Sequence, residues 1–568
     1  MYSFFYYVKL YKKHFILGSF FKMIEAGVEL LIPFIMALAL EHNDTSYTLK
    51  AGAVMLAIIV SGSVLATLGQ YYSAKAATSV SRKMREDMYK KINSLEYYDI
   101  DKLGTSSLIN RLTADVNAVQ SAVLIFVRIA IRAPFLVVGS IVFAMLIDPG
   151  IALIIVACLP FLIASFYIIT RRLMPKYTSI QKTLDGITLE TKENLDGIRV
   201  VRAFNKQEQE VSEFNKYTGR YADMSVEAGK MSAGLGPLNT FIINCGVIAI
   251  LYFVGRAVKA DRFDVANISA FISYMVQIVT ALNMITNLTL NFVKASASNK
   301  RIKEVFTEKS ALNTYGAEIG AVAPNENAEN ILEFKNVSFG YEENGFILSD
   351  VSFELKKGQT LGIIGGTGSG KTTLINLIPR FYDVKSGGIL FKGIDVKDYP
   401  AGRLRKEVVI VAQEAVVLSG TIIDNIRFAS ADLSEDGIVT AAKIAQAHEF
   451  IIKMPEGYYS IAEQNGRNLS GGQKQRISIA RGIARNADLL ILDDSSSALD
   501  YLTESKLRTA LKALEATTKI IISQRTSSVK SADKILVMDK GRAVGIGSHE
   551  ELLLSCGQYR NIHESQNI

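Results

Sequence analysis

Cysteine is scarce in this chain: Cys158, Cys245 and Cys556 are scattered over 568 residues. Two of them fall inside long apolar runs, so neither a disulfide framework nor a zinc site is expected. A concentrated basic patch is also missing. The net charge is +8, but much of the Lys and Arg flanks apolar runs, as in cytoplasmic membrane loops, rather than gathering on one surface. No nucleic-acid partner is therefore expected. Nor is a cleavable leader, because the apolar run after Lys12 and Lys13 is too long and lacks a small-residue cleavage site.

What the chain does have is apolar length. Mean hydropathy is +0.21, and the apolar content lies mostly in the first half. A chain of this size exceeds one core, so at least two domains are expected. Runs near 14–40, 51–72, 121–147, 151–170, 238–258 and 266–290 each approach the ~20 residues that cross ~30 Å of hydrocarbon. Six crossings put both ends on one side of a lipid bilayer. The segments Ser73 to Gln120 and Arg171 to Gly236 are long and rich in Lys and Arg, whereas the other loops are short. The positive-inside rule places both long loops and both termini in the cytoplasm. The long loops contain few helix breakers and repeat apolar positions at helical spacing, so the spans are expected to continue as helices beyond the membrane. Residues Met1 to Lys13 mix aromatics with lysines, which suits a short helix in the cytoplasmic interface.

Polar residues within spans are costly and so are candidates for function. Glu25 and Glu29 lie four apart in the first span, Arg128 and Arg132 in the third. Asn283, Asn287 and Asn291 repeat the spacing in the sixth, with Gln277 nearby. Two uses are open: a wet cavity for amphipathic or cationic cargo, or interhelical pairing of Glu with Arg and Asn with backbone.

Residues 307–330 are polar and read as a linker. From Ile331 the pattern becomes strands with Gly turns, then strands and helices. The expected organisation is a multi-domain membrane protein: an all-α domain of six spans (1–306), a linker (307–330) and an α/β domain (331–568). In that second domain the strand Leu361 to Ile364 runs into Gly365, Gly366, Thr367, Gly368, Ser369, Gly370, Lys371 and Thr372, followed by a helix from Thr373. A glycine-rich turn between strand and helix lets backbone amides close around phosphates. Lys371 would reach the β- and γ-phosphates of ATP, and the Thr372 hydroxyl would bind Mg2+. Asp493, ending the apolar strand Leu489 to Leu492, is the expected metal carboxylate. Gln413, after the strand Val408 to Val411, would touch both metal and attacking water. Ser470, Gly471, Gly472 and Gln473 open another helix and form a second anion site. One nucleotide does not need two such sites in one domain; two domains facing head to tail do.

This order of spans, linker and motifs resembles an ATP-binding-cassette exporter half-transporter over nearly the whole chain. The resemblance implies a type I exporter fold (type IV in the newer scheme), with a RecA-like α/β core, a helical subdomain and a small β subdomain. It implies that Tyr341 stacks on adenine and that Leu469 to Gln473 is the signature motif. It also implies coupling helices near Gly104 to Leu112 and Asp196 to Phe204, and alternating access that exports amphipathic drug-like, lipid or peptide cargo.

Two residues depart from the family pattern. Where the family carries a Glu after the metal Asp, this chain has Asp494. Where it carries a switch His, this chain has Gln524, which hydrogen-bonds but cannot carry an imidazolium charge. One reading is a degenerate, slow site in a heterodimer whose different partner half-transporter supplies the Glu and the His. Asp494 and Gln524 as a working variant pair is another. A regulatory or scaffolding subunit that binds ATP is the alternative function.

Overall fold

The apolar runs fold as helices because a bilayer offers backbone amides and carbonyls no partner but each other. In the computed structural model, residues 4–41, 45–258, 267–308, 325, 328–341 and 345–566 are described. They fall into two units: Met1–Ser94 with Leu103–Glu308, and Leu95–Lys102 with Lys309–Ile568.

The first unit contains α1 (Phe4–Leu10), α2 (Lys12–Glu41) and α3 (Thr45–Asn93). After the excursion α4 (Tyr97–Leu103) come α5 (Thr105–Asn110), a π-helical turn (Arg111–Asp115), α6 (Val116–Ile129) and α7 (Arg132–Ile147). The unit ends with α8 (Pro149–Asp196), α9 (Ile198–Ala203), α10 (Gln207–Ala233), α11 (Leu235–Val258) and α12 (Ile268–Thr307). Among the described residues, six stretches are long and apolar enough to cross a membrane. With 49 residues, α3 runs for ~73 Å at 1.5 Å per residue, more than twice the hydrocarbon thickness, so helical extension beyond the span is present as expected.

The third span is broken. A turn at 130–131 separates α6 from α7. Pro134 explains it: its ring nitrogen cannot donate, and the ring crowds the carbonyl four residues back, at Ala130. Below the break the π turn is tied to α12. Arg111 donates to the Arg301 carbonyl at 3.0 Å and to Glu304 at 3.1 Å. Arg301 Nε donates to Asp115 at 2.9 Å. Ala26, Leu30, Leu136, Phe271, Tyr274 and Ile278 belong to the buried core of this unit, and the Tyr274 hydroxyl donates to the Leu30 carbonyl at 3.1 Å. Gly139 packs closely there: a Cβ on it would lie 2.3 Å from Leu30 Cδ1 and displace that buried side chain.

The second unit is α/β. Its chain order after α4 is β1 (Asn330–Phe339), β2 (Leu348–Lys356), β3 (Thr360–Gly365), α13 (Lys371–Leu377), β4 (Ser386–Phe391), β5 (Ile394–Asp395), α14 (Ala401–Glu407), β6 (Val408–Val411) and β7 (Gly420–Thr421). Helices α15 (Ile422–Arg427), α16 (Glu435–Ile444) and α17 (His448–Ile451) follow, then β8 (Ile461–Ala462), α18 (Gly471–Ala484) and β9 (Leu489–Asp493). The unit closes with α19 (Tyr501–Lys512), β10 (Thr518–Ser523), α20 (Thr526–Val529), β11 (Lys534–Asp539), β12 (Arg542–Gly547), α21 (His549–Ser555) and α22 (Gly557–Ser565). The main sheet has the order β12-β11-β3-β10-β9-β6, and a second sheet runs β2-β1-β4-β5. In the main sheet β11, β3, β10, β9 and β6 are mutually parallel, with β12 antiparallel at the edge. All five residues of β9 are buried, which accounts for its unbroken apolar run.

The first expected coupling segment, Gly104 to Leu112, lies in the first unit rather than the second. That stretch forms α5 and the start of the π turn, which lead into the third span. The helix that packs with the nucleotide unit is the preceding one, α4, within Leu95–Lys102. Gly104, at φ 74°, turns the chain between the two, a backbone state glycine adopts without strain. The second expected coupling segment, Asp196 to Phe204, contains α9, which has no buried residue.

Candidate nucleotide-binding site

Parallel sheets gather loops at the carboxyl ends of their strands, and ligands bind there. The register shows which residues meet. Ser523 pairs with Ile364, and Ile522 with Asp493, so Gln524 lies level with Gly365 and one residue beyond the level of Asp494. Val411 pairs with Leu492, which brings Gln413, two residues on, to the same edge. The phosphate loop, Asp493, Asp494, Gln413 and Gln524 therefore share one end of the sheet. Asp494 is anchored by its amide, which donates to the Ile522 carbonyl at 3.0 Å.

The loop between β3 and α13 has the form a phosphate chain requires. Gly368 and Gly370 take φ 76° and 97°, where a side chain would be strained. A Cβ on Gly365 would lie 2.2 Å from the Met538 carbonyl oxygen. Gly366, Thr367 and Gly368 are exposed, whereas Ser369 is buried. Lys371 is buried, with its ammonium donating to the carbonyls of Gly365 at 2.9 Å and Gly366 at 2.8 Å and to Ser369 Oγ at 3.3 Å. Burial holds its pKa below the usual lysine value, against the opposing pull of Asp493 and Asp494. The cation is thus fixed inside the loop, ready for an anion.

Thr372 Oγ1 donates to Asp493 Oδ2 at 3.0 Å. This pairing of a hydroxyl with a buried carboxylate is the hard-oxygen donor set that suits Mg2+. Burial raises the pKa of both Asp493 and Asp494. Asp494 is only half-buried and sits at φ 42°, a left-handed conformation that Asp tolerates better than most residues. Glu504, which sequence reasoning passed over, adds a negative charge that also raises the Asp494 pKa. Its carboxylate accepts from Ser528 at 2.6 Å and Ser496 at 3.2 Å and pairs with Arg525 at 3.5 Å. Gln524 is exposed, and its carbonyl accepts from Gln566. Gln413 is likewise exposed.

Tyr341 stands beside the loop. Its hydroxyl lies 3.4 Å from Thr373 Oγ1, and its ring meets Phe339 and Tyr382, each at 5.1 Å. The second expected anion site is built differently. Ser470 caps α18 in a capping box with Gln473, an arrangement that fixes the helix start. Gly472 approaches the Ala498 carbonyl so closely that a Cβ would lie 3.0 Å from it. Ser470 and Gly471 are exposed, so this helix N-terminus is presented outward.

In the membrane unit the acidic candidates have partners. Glu29 accepts from Arg132 at 2.7 Å, and Glu25 pairs with Lys22 at 2.6 Å and Arg132 at 3.5 Å. The contacts support interhelical pairing for both, and Arg132 joins α7 to α2. Lys22 was not singled out from the sequence. It is 4% exposed, its stem lies against Gly69 of α3, and a charge three residues before Glu25 was the available signal. Gln277 Oε1 accepts from Ser140 at 3.5 Å, while Asn283 is exposed. The Asn287 side chain lies outside the described residues.

Comparison with known proteins agrees with this geometry. The family model described as ABC transporter transmembrane region matches residues 15–282, and the one described as ABC transporter matches 348–497. YfiB of Bacillus subtilis (strain 168), an ABC transporter ATP-binding protein, is 36% identical over 547 residues, covering 95% of this chain and 94% of its own. An ATP-dependent lipid A-core flippase of Syntrophus aciditrophicus (strain SB) is 30% identical over 519 residues, covering 90% and 85%. The structure of a bacterial Atm1-family ABC exporter with ATP bound shares the fold, with a TM-score of 0.84 at 22% identity, covering 98% of this chain and all of the other.

Proposed function

The chain belongs to the ABC transporters, as an exporter with its membrane region and ATP-binding domain on one polypeptide, and on that premise we propose that it is one half of an asymmetric heterodimer. The carrying observation is local. Asp494 and Gln524 occupy the ends of adjacent strands beside an otherwise complete phosphate loop. ATP binds, its triphosphate in the amides from Gly366 to Thr373 and its base on Tyr341. Lys371 neutralises the phosphate chain. Thr372, Asp493 and Gln413 hold Mg2+, which supplies charge neutralisation at the β- and γ-phosphates.

Hydrolysis at this site is slow. The shorter Asp494 draws its carboxylate back by roughly 1 Å, and an error of that size lowers a rate by about 10²-fold. Gln524 adds no positive charge near the γ-phosphate. The Ser470 to Gln473 motif, exposed at Ser470 and Gly471, instead completes the second site, whose phosphate loop, Glu and His belong to the other half-transporter. ATP at both sites favours the closed pair, hydrolysis at the competent site reopens it, and the spans alternate their access.

The cargo is an amphipathic small molecule moved out of the cytoplasm, and a lipid-like one is favoured by the flippase among the relatives. Glu25 and Glu29 do not argue for a cationic cargo, because Lys22 and Arg132 already neutralise them. Gln277, Asn283 and Asn287 remain candidates for the cavity wall. The protein sits in a bacterial cell membrane with its ATP-binding domain and both termini in the cytoplasm. ATPase measurement on the purified chain alone tests the reading: turnover far below that of the same chain assembled with its partner is expected, and equal turnover overturns it.

A further inference from the structure

The helix α4 sits on a seat made by the residues that immediately follow the phosphate-loop helix. Tyr97 stacks on Phe381 at 5.4 Å and 19°. Tyr97 and Tyr98 meet the ring of Tyr382 nearly at right angles, at 5.9 and 6.3 Å. Arg405 locks the seat. It donates to Glu96 at 2.7 Å and to the carbonyls of Pro379 and Arg380, and its guanidinium lies over Phe381. Tyr382 is 6% exposed, and it also meets the expected base platform: Tyr341 leans on it edge-on at 5.1 Å and 83°, and Phe339 lies at 5.6 Å. One buried ring therefore touches both the base platform and the helix between the second and third spans.

We propose that Tyr382 is a positioning residue that reports the nucleotide base, as distinct from the phosphates, to α4. The inference rests on the reading of Tyr341 as the base-stacking residue. Edge-to-face rings have a defined geometry and sit in close-packed surroundings. A base stacked on Tyr341 fixes the tilt of that ring. Tyr382 cannot yield without moving against Tyr97 and Tyr98, so the docking geometry of α4 depends on whether a base is present.

The chain contains no tryptophan, so Tyr98→Trp places a single fluorophore on α4 against Tyr382. ATP, AMP and inorganic triphosphate are titrated into the full-length variant in nanodiscs. ATP and AMP are expected to shift the emission, and saturating triphosphate to leave it within a tenth of that change. Adding Tyr382→Leu should abolish the base-dependent shift while ATP affinity changes less than threefold; Tyr382→Phe should retain the shift. A triphosphate response equal to that of ATP, or a full shift in the Tyr382→Leu background, overturns the proposal. If Tyr382→Leu does not fold, Tyr341→Leu, at a residue 39% exposed, must remove the shift instead. Tyr341→Leu that binds AMP as tightly as its parent refutes the base platform itself. None of these readouts requires hydrolysis or a partner subunit, so they stand or fall apart from the asymmetric-pair reading.

Discussion

Restoring the family residues at Asp494 and Gln524 should convert a slow site into a fast one, and the structure sets the size of the effect. Asp494→Glu advances the carboxylate by one methylene toward the attacking water. If the present defect is about 10²-fold, the change lowers the barrier by ~2.7 kcal/mol, at 1.36 kcal/mol per tenfold. The gain comes with a stability penalty. Asp494 occupies φ 42°, and a left-handed residue without a short polar side chain is disfavoured by roughly 1–2 kcal/mol, which lowers the melting temperature by a few degrees in a domain of this size. Gln524→His adds an imidazole at a position that is already exposed, so little rearrangement is needed. In nanodiscs holding only this chain, where both sites carry the same motifs, the double variant should raise kcat by about two orders of magnitude with ATP affinity changed little. A double variant that still binds ATP but gains less than about threefold would refute the reasoning, because the deficit would then lie elsewhere in the site.

Other consequences are equally direct. Ser470→Arg should leave ATP binding to this chain's own phosphate loop unchanged but reduce the ATPase of the assembled pair at least tenfold, since a bulky cation would occupy the exposed helix start; binding and turnover measured on one preparation separate the two effects. Arg132→Met should destabilise the membrane unit by roughly 1–3 kcal/mol by leaving Glu25 and Glu29 short of a partner, with Arg132→Lys recovering part of the loss in thermal unfolding. Burial would raise the pKa of Glu407, but hydrogen bonds from Arg403, Lys392 and Tyr399 prevail and hold it below the usual glutamate value. A depressed carboxylate stabilises the fold above its unfolded-state pKa and loses that contribution as pH falls through the folded value. Glu407→Gln should therefore flatten the decline in melting temperature from about pH 4.5 downward, and parallel declines in both proteins would count against the cluster.

Much of the nucleotide site was readable because its signals are local. A strand, a glycine loop and a helix start are contiguous from Leu361 to Thr373, and the five residues of β9 declare a buried strand by composition. The departures at Asp494 and Gln524 were visible for the same reason. What escaped notice depends on distant partners. The chain around residue 100 gives two helix-compatible stretches, α4 and α5, and only the meeting of Tyr97 and Tyr98 with Phe381 and Tyr382, some 280 residues away, selects the one that docks. Lys22 escapes for the same reason, because its stem lies against Gly69 of the following helix. Pro134 did announce the break in the third span, but a hydropathy run averages over one imino acid. Glu25 and Glu29 were ambiguous in the sequence because their partner Arg132 is more than 100 residues on.

The asymmetric pair is tested most directly by isolating the chain from its native membrane under mild detergent and identifying its companion by mass. The account predicts a 1:1 complex with a different ABC half-transporter whose own sequence carries Glu after the metal Asp and His at the switch position. Recovery of a dimer of this chain alone, turning over ATP at the rate of the native membrane activity, would contradict it.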